Sequence, residues 1–178
     1  MKMQVTAQVY HLRHLLKEDR VVIAADISPE QELAMLITRR LLRQLVSLMV
    51  KVVTDRAASM GAMRDTILDF EHSSSVAKAL AEGHIRDENR NPNEDKQLAA
   101  PLRLVEEIKL VPKNDGGLSL TFDNREQVLT IEISANRIHV VIETFLNLAQ
   151  RAGWDFPPIA SWLDGPKDVV VPQGHSVN

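Results

Sequence analysis

Apolar and polar residues alternate near the start of the chain. Met3 to Tyr10 carries apolar side chains at every second position, which is the period of a half-buried strand. A polar break at Lys17–Arg20 separates this segment from Val21–Ile27, which is apolar and rich in β-branched residues. The pattern predicts two strands that form a hairpin.

A helix is predicted directly after the second of these strands. Ser28 suits the N-cap, Pro29 suits the first helical position, and Gln31 completes a capping box. Apolar residues then recur at helical spacing from Leu33 to Val53, on a stripe wider than one face. We expect this helix to be covered on several sides, either by its own sheet and other helices or by a second copy of the chain.

The stretch that follows this helix is interpreted as a helical insertion and a polar linker. Helical spacing continues to Glu71, with Gly61 as a possible break. Ser73–Ser75 interrupts the pattern before a short helix over Val76–Glu82. Arg86–Lys96 contains no apolar residue, which is typical of an exposed, mobile linker.

The pattern of strands and a helix returns in the second half of the chain. Leu102–Val111 contains a predicted strand, and Leu118–Phe122 and Val128–Ile133 alternate. Ser134 is a suitable N-cap for an amphipathic helix, and Gly153 stands where a glycine commonly ends one.

These elements predict an α+β fold built from two antiparallel ββα-type units. A shift of 106 residues aligns Asp26–Ser28 with Glu132–Ser134, which indicates an internal duplication. The alternative is that any β-hairpin followed by a capped helix has this pattern. The predicted divisions are a first unit (1–53), a helical insertion and linker (54–101), a second unit (102–154) and a docked C-terminal tail (155–178).

Aromatic residues cluster in the tail. Trp154, Phe156 and Trp162 are three of the few aromatics, which predicts that the tail packs on the body of the protein. Within it, Ile159–Leu163 suits a helical turn and Val169–Val171 an edge strand.

The composition of the chain excludes several classes of functional site. The chain has no cysteine, which excludes disulfides, thiolate metal sites and cysteine catalysis and favours a reducing compartment, the cytoplasm. Its net charge is −3, and neither end resembles a charged nucleic-acid-binding tail. Three arginines interrupt the most apolar stretch, so we interpret that stretch as a buried helix and not as a membrane span. The alternating N-terminus favours a strand over a signal peptide.

The histidines and paired carboxylates are weak candidates for chemistry. His11 and His14 have metal-ligand spacing but no further ligands, so we interpret them as surface or hairpin histidines. His139 is interpreted as a boundary residue beside an apolar stripe, because a catalytic base needs a partner. Glu106 and Glu107 are adjacent on a predicted strand and should point to opposite faces. Known catalytic and phosphate-binding motifs are absent from the sequence, and we expect no enzymatic activity, no metal and no cofactor.

Arg39, Arg40 and Arg43 are the candidate binding residues. Arg39 and Arg43 share one face of the predicted helix, and Arg40 flanks them. They could form a small basic patch for an acidic protein surface or for nucleic acid. The alternative is a solvated stripe that pairs with Glu32 or with acidic residues of the second unit.

The sequence thus favours a non-enzymatic protein-interaction or regulatory accessory protein of bacterial or phage type. We expect it to act by surface binding, as a homodimer, with another protein as partner and without a membrane. The alternative hypothesis is a nucleic-acid-associated protein that uses the small basic helix face.

Overall fold

Strands and helices of the chain combine into an α+β architecture, which confirms the predicted fold class. The computed structural model describes residues 2–82 and 97–163, and in these residues it contains two β-sheets and three α-helices. The strands are β1 (Met3–Ala7), β2 (His11–Leu15), β3 (Arg20–Ser28), β4 (Gln31–Ile37), β5 (Gln97–Leu98), β6 (Arg103–Leu104), β7 (Glu107–Pro112), β8 (Leu118–Asp123) and β9 (Gln127–Ile133), and the helices are α1 (Arg39–Arg56), α2 (Arg64–Ala81) and α3 (Ile138–Arg151).

Each sheet consists of an antiparallel meander and strand segments from the other half of the chain. The β7–β8–β9 meander accepts β1, which runs parallel to β9. The β2–β3–β4 meander accepts β5 and β6, which run parallel to β4. The prediction that Met3–Tyr10 forms a hairpin with Val21–Ile27 is therefore wrong. The strand that pairs with β3 is β2, and β1 belongs to the other sheet.

The predicted start of the first helix at Ser28 is also wrong. Ser28 ends β3, and its hydroxyl accepts a hydrogen bond from the amide of Glu30 at 3.3 Å in the turn before β4. The helix begins at Arg39 instead, where the Thr38 hydroxyl caps it by accepting from the amide of Leu41 at 3.3 Å. The sequence pattern failed here because β4 is buried almost throughout, so its apolar run lacks the alternation of a half-buried strand.

Each meander is followed by a helix, so a run of three antiparallel strands leads into α1 and another leads into α3. The predicted ββα pattern is not confirmed, because β4 occupies the segment that was assigned to the helix. Equivalent elements are 96 residues apart and not 106: β4 spans 31–37 and β9 spans 127–133. The parallel strand pairs have the same offset. Ala7 pairs with Ile131, and the residues 96 positions from these two, Arg103 and Met35, pair with each other. A duplication of the chain stays a prediction.

A short 3-10 segment over Ala58–Met63 separates α1 from α2. Gly61 lies in it with a positive φ of +60°, which glycine adopts without a steric penalty. The predicted interruption at Ser73–Ser75 is wrong, because α2 continues through it. The predicted linker at 86–96 and the predicted edge strand at 169–171 lie outside the described residues.

A single large core joins both sheets to the helices. The inner face of α1 is buried within the chain itself, against residues of both meanders and of α3. After α3, the chain packs back on this core through Trp154 and Trp162, which are 4% and 3% exposed. The core residues of α1 are Leu42, Leu45, Val46, Met49, Val50 and Val53.

The other face of the β2–β3–β4 sheet buries a carboxylate that pairs with a half-buried arginine. Glu32 is 1% exposed, and its Oε1 atom lies 2.5 Å from a guanidinium nitrogen of Arg13. The second carboxylate oxygen of Glu32 has no hydrogen-bond partner among the described residues. A small apolar cluster that includes Val22 and Ala34 surrounds this face.

Candidate functional site

The three arginines of the predicted binding site lie at the start of α1, where the structure separates them. Arg39 donates a hydrogen bond to the backbone carbonyl of Asp155 at 2.8 Å, so it helps to hold the segment after α3. Arg40 and Arg43 are exposed and line a groove between α1 and the start of β7, which we call the α1–β7 groove.

The α1–β7 groove combines an apolar lining with charged walls. Its volume is about 560 Å³. Leu45 is buried at its base, Leu41 and Ile108 are half-buried, and Leu48 is 45% exposed. The polar wall residues are Arg40, Arg43, Gln44 and Ser47 from the helix and Glu106 and Glu107 from the strand side.

The charged residues that line the α1–β7 groove differ in whether they have an ion-pair partner in the described residues. Glu106 lies 3.6 Å from Arg125, and Glu107 lies 3.4 Å from Lys109, so each carboxylate already has a cation of its own sheet. Arg40 and Arg43 make no ion pair with any part of the chain that the structure describes. Glu32, one of the pairing partners considered for the arginines, pairs with Arg13 instead.

Glu106 and Glu107 both line this groove. Glu107 is the first residue of β7, and Glu106 directly precedes the strand. The expectation that their side chains point to opposite faces stays a prediction. Sequence reasoning missed both as groove residues.

A second depression borders the same helix. It has a volume of about 510 Å³ and lies between α1 and the segment Pro157–Ala160. Arg43 and Ser47 line both depressions. Arg43 and Ser47 thus lie on the exposed face of α1 between the two depressions.

A separate cluster of rings joins α2 and α3 to the C-terminal segment. The ring centroids of His72, His139 and Trp162 lie 5.6 to 5.7 Å apart, each pair edge to face. The indole nitrogen of Trp162 donates to the hydroxyl of Thr54 at 3.2 Å, which ties the cluster to α1. Nε2 of His72 lies 3.2 Å from Oε2 of Glu143.

The ring cluster favours an uncharged His139. Burial, with a smaller contribution from the nearby His72, lowers the pKa of His139 to about 4. The Nδ1 atoms of both histidines are buried without a hydrogen-bond partner in the described residues. Sequence reasoning identified His139 as a boundary residue but missed His72 and Glu143. No local signal could find them, because they lie 71 residues apart on different helices.

The C-terminal half of α3 forms a cavity of about 460 Å³ with the segment that follows it. Glu143, Trp154 and Phe156 are among its lining residues. Glu143 therefore borders both this cavity and the ring cluster.

Metal-binding groups are not assembled in the part of the chain that the structure describes. It contains no group of three or more histidine, aspartate or glutamate side chains suited to a metal ion. His11 lies 3.5 Å from Asp26, and His14 lies 3.4 Å from Asp19, so the two histidines have separate neighbours.

Comparison with protein-family models, curated proteins and solved structures gives no match for this chain. Within residues 2–82 and 97–163, no helix has the length and apolar character needed to span a membrane.

Proposed function

We propose that this chain is a non-enzymatic accessory protein that binds a segment of another protein in the α1–β7 groove. The observation that carries the proposal is the combination of an apolar lining with Arg40 and Arg43, two exposed cations without an ion-pair partner in the described residues. A complementary segment would insert apolar side chains between Leu41 and Leu48 and place carboxylates beside the two arginines.

The position of β7 supports an extended partner segment. In the sheet order β1–β9–β8–β7, β7 is an edge strand of the described residues. No strand in residues 2–82 or 97–163 pairs with its outer edge, and extended peptides commonly bind at such edges. We place this activity in the cytoplasm, since the chain has no cysteine.

Nucleic acid fits the α1–β7 groove less well. Glu106 and Glu107 form the wall opposite the arginines and would repel a phosphate backbone. The apolar lining offers leucine and isoleucine, and it lacks aromatic rings on which bases could stack.

A photo-crosslinker at position 47 tests the proposal, because Ser47 is exposed and lines the groove. We expect the Ser47 probe to crosslink a defined host protein, and the double variant Arg40→Glu/Arg43→Glu to abolish that product. The matched control is Lys17→Glu/Arg137→Glu, which makes the same change of charge at exposed positions away from the groove. It should keep the crosslink.

Electrophoretic mobility shifts with DNA and RNA at low salt complete the experiment. The proposal would be wrong if the protein shifted a nucleic acid, the variant Arg40→Glu/Arg43→Glu lost this shift and the control kept it. That result would support a nucleic-acid-associated protein instead. Failure of the probe to crosslink any protein, or equal loss in the control, would also overturn the proposal.

A further inference from the structure

The outward face of α2 carries an apolar row that no described residue covers. Phe70 is 72% exposed, Met63, which directly precedes the helix, is 64% exposed, and Leu80, beside the row, is 57% exposed. The opposite face of the helix packs on the body through Leu68, His72 and Ala79. A large exposed apolar surface on one helix face is typical of an interaction site.

The spacing of the row matches a helical partner. Met63, Phe70 and Ala77 follow one another at seven-residue intervals, and Ser74 and Ala81 continue the same interval beside them. A seven-residue apolar repeat keeps one seam of a helix in contact with a second helix along its length.

Side-chain size along the seam sets the orientation of that second helix. The N-terminal half has the large residues, Met63 and Phe70, whereas the C-terminal half has Ser74, Ala77 and Ala81. A parallel copy would place large residues against large ones and leave a gap between the small ones. An antiparallel copy places each Phe70 ring between Ala77 and Ala81 of the other helix.

Charges beside the seam select the same arrangement. Glu71 and Lys78 lie on one flank of α2, seven residues apart. A two-fold axis midway between them, near Ser74, brings Glu71 of each copy opposite Lys78 of the other. Their contacts within the chain are long, at 3.9 Å from Glu71 to His139 and 4.0 Å from Lys78 to Glu82.

We infer that α2 forms a homodimer with a second copy of this chain, packed antiparallel about a two-fold axis near Ser74. This moves the expected dimer contact from α1, whose apolar face is buried within the chain, to α2. The α2 face and the α1–β7 groove share no residue, so the inference does not depend on the proposed function.

Sedimentation equilibrium over a range of protein concentrations tests the dimer. We expect Phe70→Glu to raise its dissociation constant by roughly a hundredfold, because it places a charge in the apolar seam. Val111→Glu is the matched control, since Val111 is exposed on β7 and lies outside the seam. It should leave the dissociation constant unchanged.

A charge swap tests the orientation. Lys78→Glu and Glu71→Lys should each weaken the dimer by about tenfold, and the double variant should restore it. Restoration requires that the two positions face each other across the two-fold axis.

The cysteine-free chain allows a direct distance measurement. Under mild oxidation, Ser74→Cys should give a disulfide-linked dimer, whereas Ser47→Cys, exposed on α1, should remain monomeric on a denaturing gel. A wild-type protein that is monomeric at all concentrations, a dimer that is insensitive to Phe70→Glu, or no crosslink at position 74 would each overturn the inference.

Discussion

His72 and Glu143 join α2 to α3, with Nε2 of the histidine 3.2 Å from Oε2 of the glutamate. The contact holds the imidazole of His72 beside His139 and Trp162, where the three rings pack edge to face. It therefore determines the surroundings in which His139 titrates.

We predict that acidification destabilises the protein through His139. Its pKa is lowered from 6.5 to about 4 in the folded state, mainly by burial. Below about pH 6.5 the unfolded chain therefore binds a proton at His139, whereas the folded chain binds it only when the pH approaches 4. Above pH 6.5 the titration of His139 leaves the free energy of unfolding unchanged. As the pH falls from 6.5 towards 4, it lowers the free energy of unfolding progressively. At pH 5 the loss should be about 2 kcal/mol relative to pH 7.5.

Urea unfolding at pH 7.5 and pH 5 measures this effect. Carboxylates also titrate in this range, so the comparison needs His139→Phe, which keeps an aromatic ring and removes the titrating group. We expect the variant to show a pH dependence weaker by about 2 kcal/mol. If the free energy of unfolding changed equally between pH 7.5 and pH 5 in the two proteins, His139 would not titrate as inferred.

Thr38, and not Ser28, should matter as a helix cap. Thr38→Ala removes the hydroxyl that accepts from the amide of Leu41 and should lower the free energy of unfolding by about 1 kcal/mol. Ser28→Ala removes only an exposed turn contact to Glu30 and should cost less than half as much. Thermal or urea unfolding of both variants decides the comparison, and a larger loss for Ser28→Ala would contradict the helix start at Arg39.

The ion pair of half-buried Arg13 and buried Glu32 should be sensitive to loss of the arginine. Arg13→Met leaves the carboxylate of Glu32 buried without a cation, which should lower the free energy of unfolding by about 3 kcal/mol. Arg103→Met is the matched control, because its pair with Glu126 is exposed and should contribute less than about 1 kcal/mol.

A second substitution separates charge from packing at this pair. Adding Glu32→Gln to Arg13→Met removes the unpaired charge, and most of the lost stability should return in urea unfolding. A double variant no more stable than Arg13→Met alone would assign the loss to packing of the arginine side chain.

Elements with one buried face were predictable from the sequence. Side chains alternate between buried and half-buried positions along β8 and β9, and the inner face of α3 has apolar residues at helical spacing. When one face of an element is buried, apolar residues recur in its sequence with the period of its backbone. These strands and this helix could therefore be recognised from the local sequence. The cysteine-free composition and the exposed arginines of α1 were likewise visible in the sequence alone.

Tertiary structure decided the rest. The strand β4 is buried almost throughout, so its apolar run resembles the start of a helix until the neighbouring strands are known. The pairing of β1 with β9 depends on which backbone edge is free after folding, and no local pattern records it. The same holds for the candidate binding surface, because Glu106 and Arg43 line the same α1–β7 groove from distant parts of the chain. Periodicity records which side of an element is buried, whereas the identity of the residues that meet there depends on packing between distant segments.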